Sequence, residues 1–328
     1  MTLAAYAAIY LIWGSTFLAI RLAIDSIPPL MMMGLRCTAA GGLMLAWAAL
    51  HGERASGRAW GHGAVAGALM FGCAYGALAW AEERIASGVA ALFVATLPFW
   101  LAVFEYGRRR TAPAPRMLAG LLIGLAGVAL LVVRGTASIV SSGGPSPPVD
   151  YSASVLPALV IVLGEIAWAA GSLYAQPPRL PQSLALRAGM PLAAGGVLLL
   201  GASWIAREFQ HFNPAAVSAR SLTALAYLIV FGSIVAFSAY AWLMRVQPPT
   251  RVATHAYVNP VIAVALGSVA GGEPFTPAIG VASAVIAGGV ALVLGVPAIG
   301  GETCSSTSTK PFADRRGTVR RYSDRCVG

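Results

Sequence analysis

Residues 221–244 read SLTALAYLIVFGSIVAFSAYAWLM, twenty-four consecutive positions without Asp, Glu, Lys or Arg. At ~1.5 Å of rise per residue this run makes a helix about 36 Å long, enough to cross a hydrocarbon core of ~30 Å. Clean runs recur at Met1–Ile20, Ala59–Ala81, Ile85–Phe104, Met117–Val133, Ala188–Ala206, Val252–Gly272 and Pro274–Gly301. Two more apolar stretches hold one charge each: Leu30–Leu50 carries Arg36, and Val155–Ala175 carries Glu165. Together they predict ten spans. Short connections join nearly all of them, so sequence neighbours are expected to pack antiparallel.

The composition agrees. Of 328 residues 58% are apolar and 10% charged, with mean hydropathy +0.74. A soluble domain carries roughly 25% charged residues, so a soluble enzyme, a disordered chain and a small disulfide scaffold are excluded. The net charge of +10 sits in short clusters between apolar runs, which argues against a nucleic-acid surface. Cysteines at 37, 73, 304 and 326 lack zinc or CxxC spacing, so neither metal nor cofactor is expected. The first run is twenty residues long without a basic leader, which reads as a span and not a signal peptide. With the N-terminus cytoplasmic, sixteen Lys and Arg fall on the inner side, tail included, against four or five outside. That bias predicts both termini in the cytoplasm.

The two halves resemble each other. Phe71-Gly72 and Ala79-Trp80 in span three match Phe231-Gly232 and Ala241-Trp242 in span eight. Gly127-Val-Ala-Leu-Leu-Val matches Gly289-Val-Ala-Leu-Val-Leu; Trp13 matches Trp168; Leu35-Arg36 matches Leu186-Arg187; Pro98 matches Pro260. Between the halves lies Ser141-Ser-Gly-Gly-Pro-Ser-Pro-Pro148, the composition of a flexible linker. Five spans is an odd number, so the second half must enter the membrane upside down. The expected fold is all-α and integral to the membrane: ten transmembrane helices as two inverted five-helix repeats, an arrangement suited to alternating access. The expected domains are 1–134, a linker at 135–152, a second repeat at 153–297 and a basic, disordered cytoplasmic tail at 298–328.

Several motifs carry a family resemblance. Trp13-Gly-Ser-Thr-Phe17, Pro28-Pro-Leu-Met-Met32, Gly34-Leu-Arg36, Ser87-Gly-Val-Ala-Ala91, Ala95-Thr-Leu-Pro98, Ala256-Tyr-Val-Asn-Pro260 and Gly271-Gly-Glu273 resemble EamA-type transporters of the drug/metabolite transporter superfamily, YedA-like branch. The resemblance spans residues 9 to 296. It implies ten spans, two repeats, a bacterial inner membrane and efflux of small metabolites or drugs. The tail lies outside it.

Polar groups inside the spans are the candidate site. An ionised Glu165 in lipid costs ~2.5–3.5 kcal/mol by insertion scales, so it is neutral, paired or facing a wet cavity. Trp168 and Ser172 share its helical face. The carboxyl reads as a proton-coupling or amine-binding acid, or as a protonated group bonded to a neighbouring helix. Arg36 can meet an anionic substrate group; snorkelling outward or pairing with Asp25 is the structural alternative, and the favoured one. His255 and Asn259 share a face before Pro260, either as ligand contacts or as interhelical hydrogen-bonding groups. Trp13 and Tyr75 are the deeper aromatics, suited to an amphipathic cavity. Pro98 and Pro260 are hinge candidates. Gly120-x-x-x-Gly124 and the ladder Gly280, Ala284, Gly288 are small-residue faces that join the halves or build a homodimer.

The expected function is a secondary transporter, an exporter of small metabolites such as amino acids or amphipathic drugs, driven by proton exchange. The expected partners are a small-molecule substrate and the bilayer. A membrane enzyme is disfavoured because the four histidines are scattered and no catalytic grouping appears. A channel is the other alternative.

Overall fold

The computed structural model describes residues 1–84, 90, 93–110, 112–141, 155–271 and 277–295. Among them every regular element is helical. The long ones are α1 (Thr2–Ile24), α2 (Pro29–Leu50), α3 (Gly57–Glu82), α4 (Leu97–Arg109), α5 (Pro115–Ser141), α6 (Val155–Tyr174), α7 (Leu184–Ile205), α8 (Ala219–Val246), α9 (His255–Gly271) and α10 (Pro277–Leu294). Helix is the form in which a single segment satisfies its own backbone in lipid. Six of the helices, α1, α2, α3, α6, α7 and α8, are long and apolar enough to cross a membrane.

The helix starts follow local chemistry. Pro29 opens α2, where its missing N–H costs nothing. Ser56, Ser183 and Ser218 cap α3, α7 and α8, each hydroxyl accepting a backbone N–H three residues on. Glu208 reaches across to the start of α2, where its carboxylate accepts from Leu30 N (3.1 Å) and Met31 N (2.8 Å). At the matching end of α7, Ser183 donates to Glu53. The outward faces are apolar. Leu156, Leu159 and Leu163, one stripe of α6, are 61%, 56% and 62% exposed. A stripe of that kind is stable against lipid and costly against water.

Packing pairs the helices across the two halves. α2 lies along α7, and α5 lies along α10. α1 packs on α8 and α9, while α6 packs on α3 and α4. Exchanging each helix with the one five places later turns each of these pairs into another of them. Glycines set the close approaches: a Cβ on Gly34 would lie 2.8 Å from Leu200, and one on Gly120 2.8 Å from the Gly289 carbonyl oxygen. Both α3 and α8 also wind into π-helix at matching places, Ala68–Cys73 and Leu228–Val235, each around a Phe-Gly pair.

Several expectations need correcting. Gly120 and Gly124 are occupied inside the chain, Gly124 by the ring of Tyr257, and so are not a free dimer face. On α10 the residues meeting the glycines of α5 are Val285, Ile286, Gly289, Leu292 and Val293, whereas a Cβ added at Gly288 would meet nothing within 4 Å. Proline at 98 sits in the first turn of α4, after a turn at Ala95-Thr96, and does not kink a continuous span. Pro260 lies inside α9, but Val252–Gly272 is not one helix: Pro249–Val252 forms a separate turn of helix before His255. Residues 135–141 of the expected linker continue α5. Residues 142–152, the tail at 298–328, Gly272-Glu273, and all of Ser87–Ala91 but Ala90 lie outside the described residues.

Candidate functional site

The middle of the helix set is filled by aromatic rings from both halves. Trp13 (α1), Phe71 and Tyr75 (α3), Trp168 (α6), and Phe237 and Tyr240 (α8) form one contiguous cluster. Tyr75 stacks on Trp168 at 5.5 Å between centroids, Trp13 meets Trp168 edge-on at 6.1 Å, and Phe71 meets Phe237 edge-on at 5.0 Å. Edge and stacked contacts at these distances hold rings in fixed mutual orientation.

Three of the polar tips in the cluster, those of Trp13, Trp168 and Tyr240, have a partner. Trp13 Nε1 donates to the Gly232 carbonyl (3.0 Å), within the π-helical segment of α8. A π turn breaks the regular ladder, and such segments are frequent at functional sites. Trp168 Nε1 donates to the Tyr240 hydroxyl (3.1 Å), which also shares a hydrogen bond with Ser172 Oγ (2.8 Å). His255 lies against Trp13 (4.6 Å) and Tyr240 (5.8 Å). Its Nδ1 donates to the Val252 carbonyl (2.9 Å), which leaves Nε2 as the ring's acceptor.

Glu165 stands one helical turn from Trp168 and is buried. Among the described residues it has no hydrogen-bond or ion-pair partner, and it lies within electrostatic range of the Tyr75 and Tyr240 hydroxyls. Arg36 is also buried and sits at the junction of four helices. Its Nε donates to Ser233 Oγ (2.8 Å), and its guanidinium carbon lies 5.2 Å from the Tyr75 ring centroid. The structure therefore corrects the expectation that Arg36 snorkels to an interface or pairs with Asp25.

Two small clefts lie at helix ends, and rings of the cluster line the first of them. That one, partly open and with room for little more than a water molecule, lies among the ends of α6 and α8 and the start of α7, bounded by Ser172, Gln176, Arg187, Phe237, Tyr240 and Arg245. The other, also small and partly open, lies among the ends of α1 and α3 and the start of α2, bounded by Ile20, Ile24, Met32, Met33, Ala79 and Glu82. The two sets of helix ends are those related by the exchange of halves.

Trp13, Tyr75, Trp168, Ser172 and His255, all proposed from sequence, thus come together. Asn259 is buried with its amide oxygen unpartnered, and makes no ring contact in this cluster. Phe71, Phe237 and Ser233 were not singled out as site residues. Phe71 was visible only as half of a repeated Phe-Gly pair. Tyr257 belongs elsewhere: its hydroxyl donates to Leu121 O (3.0 Å) at the α5–α9 contact. Among the described residues no group of three or more His, Cys, Asp or Glu is arranged to hold a metal ion.

The comparisons with known proteins fit this geometry. The model of the EamA-like transporter family matches residues 2–133 and 155–295. The chain belongs to the EamA-like transporter family. It is accordingly a multi-pass helical membrane protein, matched by the family model in two stretches. The chain is 39% identical over 290 residues to the uncharacterized inner membrane transporter YedA of Escherichia coli (strain K12), covering 87% of this chain and 88% of that protein. It is 23% identical over 274 residues to the uncharacterized transporter YvbV of Bacillus subtilis (strain 168), covering 82% and 84%. A solved crystal structure superposes with a TM-score of 0.69 at 23% identity, over 89% of this chain and 96% of that one, a likeness of fold.

Proposed function

We propose that the protein is an inner-membrane secondary transporter that exports a small metabolite, an amino acid or an amphipathic drug, by alternating access. In this reading α1–α10 are ten spans in two inverted repeats (1–134 and 153–297), with both termini cytoplasmic. The single observation that carries the reading is the pair of small clefts at exchange-related helix ends, the first of them lined by the aromatic cluster. Two half-open compartments around one central plug are what a carrier needs to expose a site to one side at a time. Rocking the halves closes one cavity onto the rings and widens the other.

Glu165 is the proposed coupling group. It is an acid at mid-span with no countercharge among the described residues, and such groups mark proton and substrate paths. A proton carried by Glu165 in one orientation and released in the other ties flux to the proton gradient. His255 and the Tyr240 hydroxyl provide neighbouring polar positions for the solute, and Pro260 allows α9 to bend.

The test is flux in proteoliposomes under an imposed pH gradient, using a solute selected by thermal-shift screening. Glu165→Gln should abolish pH-driven flux while leaving gradient-free counterflow and the folded protein intact. Unchanged pH-driven flux removes Glu165 from the coupling mechanism. Stepwise single-channel currents in a planar bilayer overturn alternating access itself.

A further inference from the structure

The two halves carry the same Leu-Arg pair on α2 and α7, and the structure uses the two arginines differently. Arg187 is fully engaged by backbone: Nε donates to Pro181 O (3.1 Å), Nη1 to Ala175 O (3.0 Å) and Nη2 to Leu180 O (2.9 Å). Ala175 lies at the end of α6, where the helix dipole favours a cation, and Leu180 and Pro181 lie in the connection to α7. Arg36 is 2% exposed, yet only its Nε has a protein partner among the described residues, the neutral hydroxyl of Ser233. Neither Nη atom finds an acceptor there, and no carboxylate pairs with it.

We propose that Arg36 is the anion subsite of the transport pathway and that the exported solute carries a carboxylate. A guanidinium that keeps its charge while buried is costly unless an anion completes it. Its two remaining Nη donors form the planar fork that binds a carboxylate in bidentate fashion. The missing side chain of Gly232 makes room for the fork itself: an added Cβ would lie 2.9 Å from Arg36 Nη2 and would push it aside. The second cleft, which Arg36 does not itself line, lies one helical turn away. Met32 and Met33, which bound it, lie one helical turn before Arg36 on α2, and Ala79 lies one turn beyond Tyr75 on α3. The Tyr75 ring holds one face of the guanidinium and stacks by its own face on Trp168. A carboxylate on Arg36 therefore leaves the rest of the solute beside the aromatic cluster. This inference rests on the carrier reading and names the solute class for that same site.

The experiment uses the purified full-length protein in neutral detergent and four probes: 3-phenylpropionate, L-phenylalanine, phenethylamine and inorganic phosphate. Each is scored by the shift in Tm and by counterflow in proteoliposomes. The two carboxylates should raise Tm by several degrees, phenethylamine and phosphate should not, and Arg36→Gln should weaken the carboxylate response about tenfold or more. Gly232→Ala keeps the charge, fills the space beside Nη2 and should give the same loss. Ligand-free melting of both variants separates unfolding from lost binding: Arg36→Gln removes a partly unpaired buried cation and should not lower Tm, and Gly232→Ala displaces only the far end of a flexible side chain. Carboxylate shifts that persist in both variants overturn the subsite, as does a shift given by phosphate and not by carboxylates. Counterflow of phenethylamine without any carboxylate response overturns the subsite and leaves the carrier standing. The absence of both shift and counterflow for every probe counts against the two together.

Discussion

Gly288 and Gly289 are neighbours on α10 and read alike in sequence, yet adding one methyl group to each should have opposite effects. A Cβ at Gly289 would fall 2.5 Å from Gly124 N and 2.8 Å from both Gly124 Cα and Gly120 O, all rigid helix backbone of α5. Ordinary contact begins near 3.4 Å, so the helices must part by about 0.9 Å. The interface runs over two turns, from Gly120 to Gly127 against Val285 to Val293. Taking roughly 40 heavy-atom pairs at ~0.15 kcal/mol, the contact holds about 6 kcal/mol, and a gap of that size forfeits about a third of it. The loss of about 2 kcal/mol is partly offset by the ~0.5–1 kcal/mol that Ala gains over Gly in a helix interior. Gly289→Ala should therefore be destabilising by about 1–1.5 kcal/mol. Gly288→Ala meets nothing within 4 Å and should be stabilising by ~0.5–1 kcal/mol. Thermal unfolding of the two purified variants beside the parent, in one detergent, reads both signs. Equal Tm values for the pair, or a loss at Gly288, would refute the claim that α5 and α10 meet through Gly289.

Further outcomes follow from other contacts. Glu208→Ala removes the carboxylate that accepts from Leu30 N, Met31 N and Ser203 Oγ, and should lower stability by ~1–2 kcal/mol in denaturant titration, with Glu208→Gln recovering part of it. Trp168→Ala, at the centre of the ring cluster, should be destabilising by ~3–5 kcal/mol, whereas Trp168→Phe loses chiefly the hydrogen bond to Tyr240, ~1 kcal/mol; similar losses in both would mean the ring packing carries little. If both termini are cytoplasmic, as proposed, a Thr2→Cys label and native Cys304 and Cys326 should react with an impermeant maleimide only from the cytoplasmic side; labelling of the two ends from opposite sides would undo the span count.

The spans were readable because hydropathy is additive along a chain: a run such as 221–244 announces its environment without reference to any neighbour. Glu165 was readable for the same reason, as a charge where none is affordable, and so was the repeat, through pairs such as Phe71-Gly72 and Phe231-Gly232. Within the candidate site, the aromatic residues of the motifs were legible and their partners were not. Phe237 and Ser233 gain their roles from facing Phe71 and Arg36 across helix boundaries, and nothing local marks them.

Local sequence thus established the membrane class, the family and the rough positions of the helices. Three-dimensional packing alone assigned different environments to identical local sequence. Arg36 and Arg187 sit in the same Leu-Arg pair, but one guanidinium faces a glycine of α8 and the other three carbonyls beyond α6. Gly288 and Gly289 differ by a 100° rotation about the helix axis, which puts one outside and the other against α5. Burial along a helix depends on which neighbour arrives on which side, and that is fixed by contacts between residues far apart in the chain.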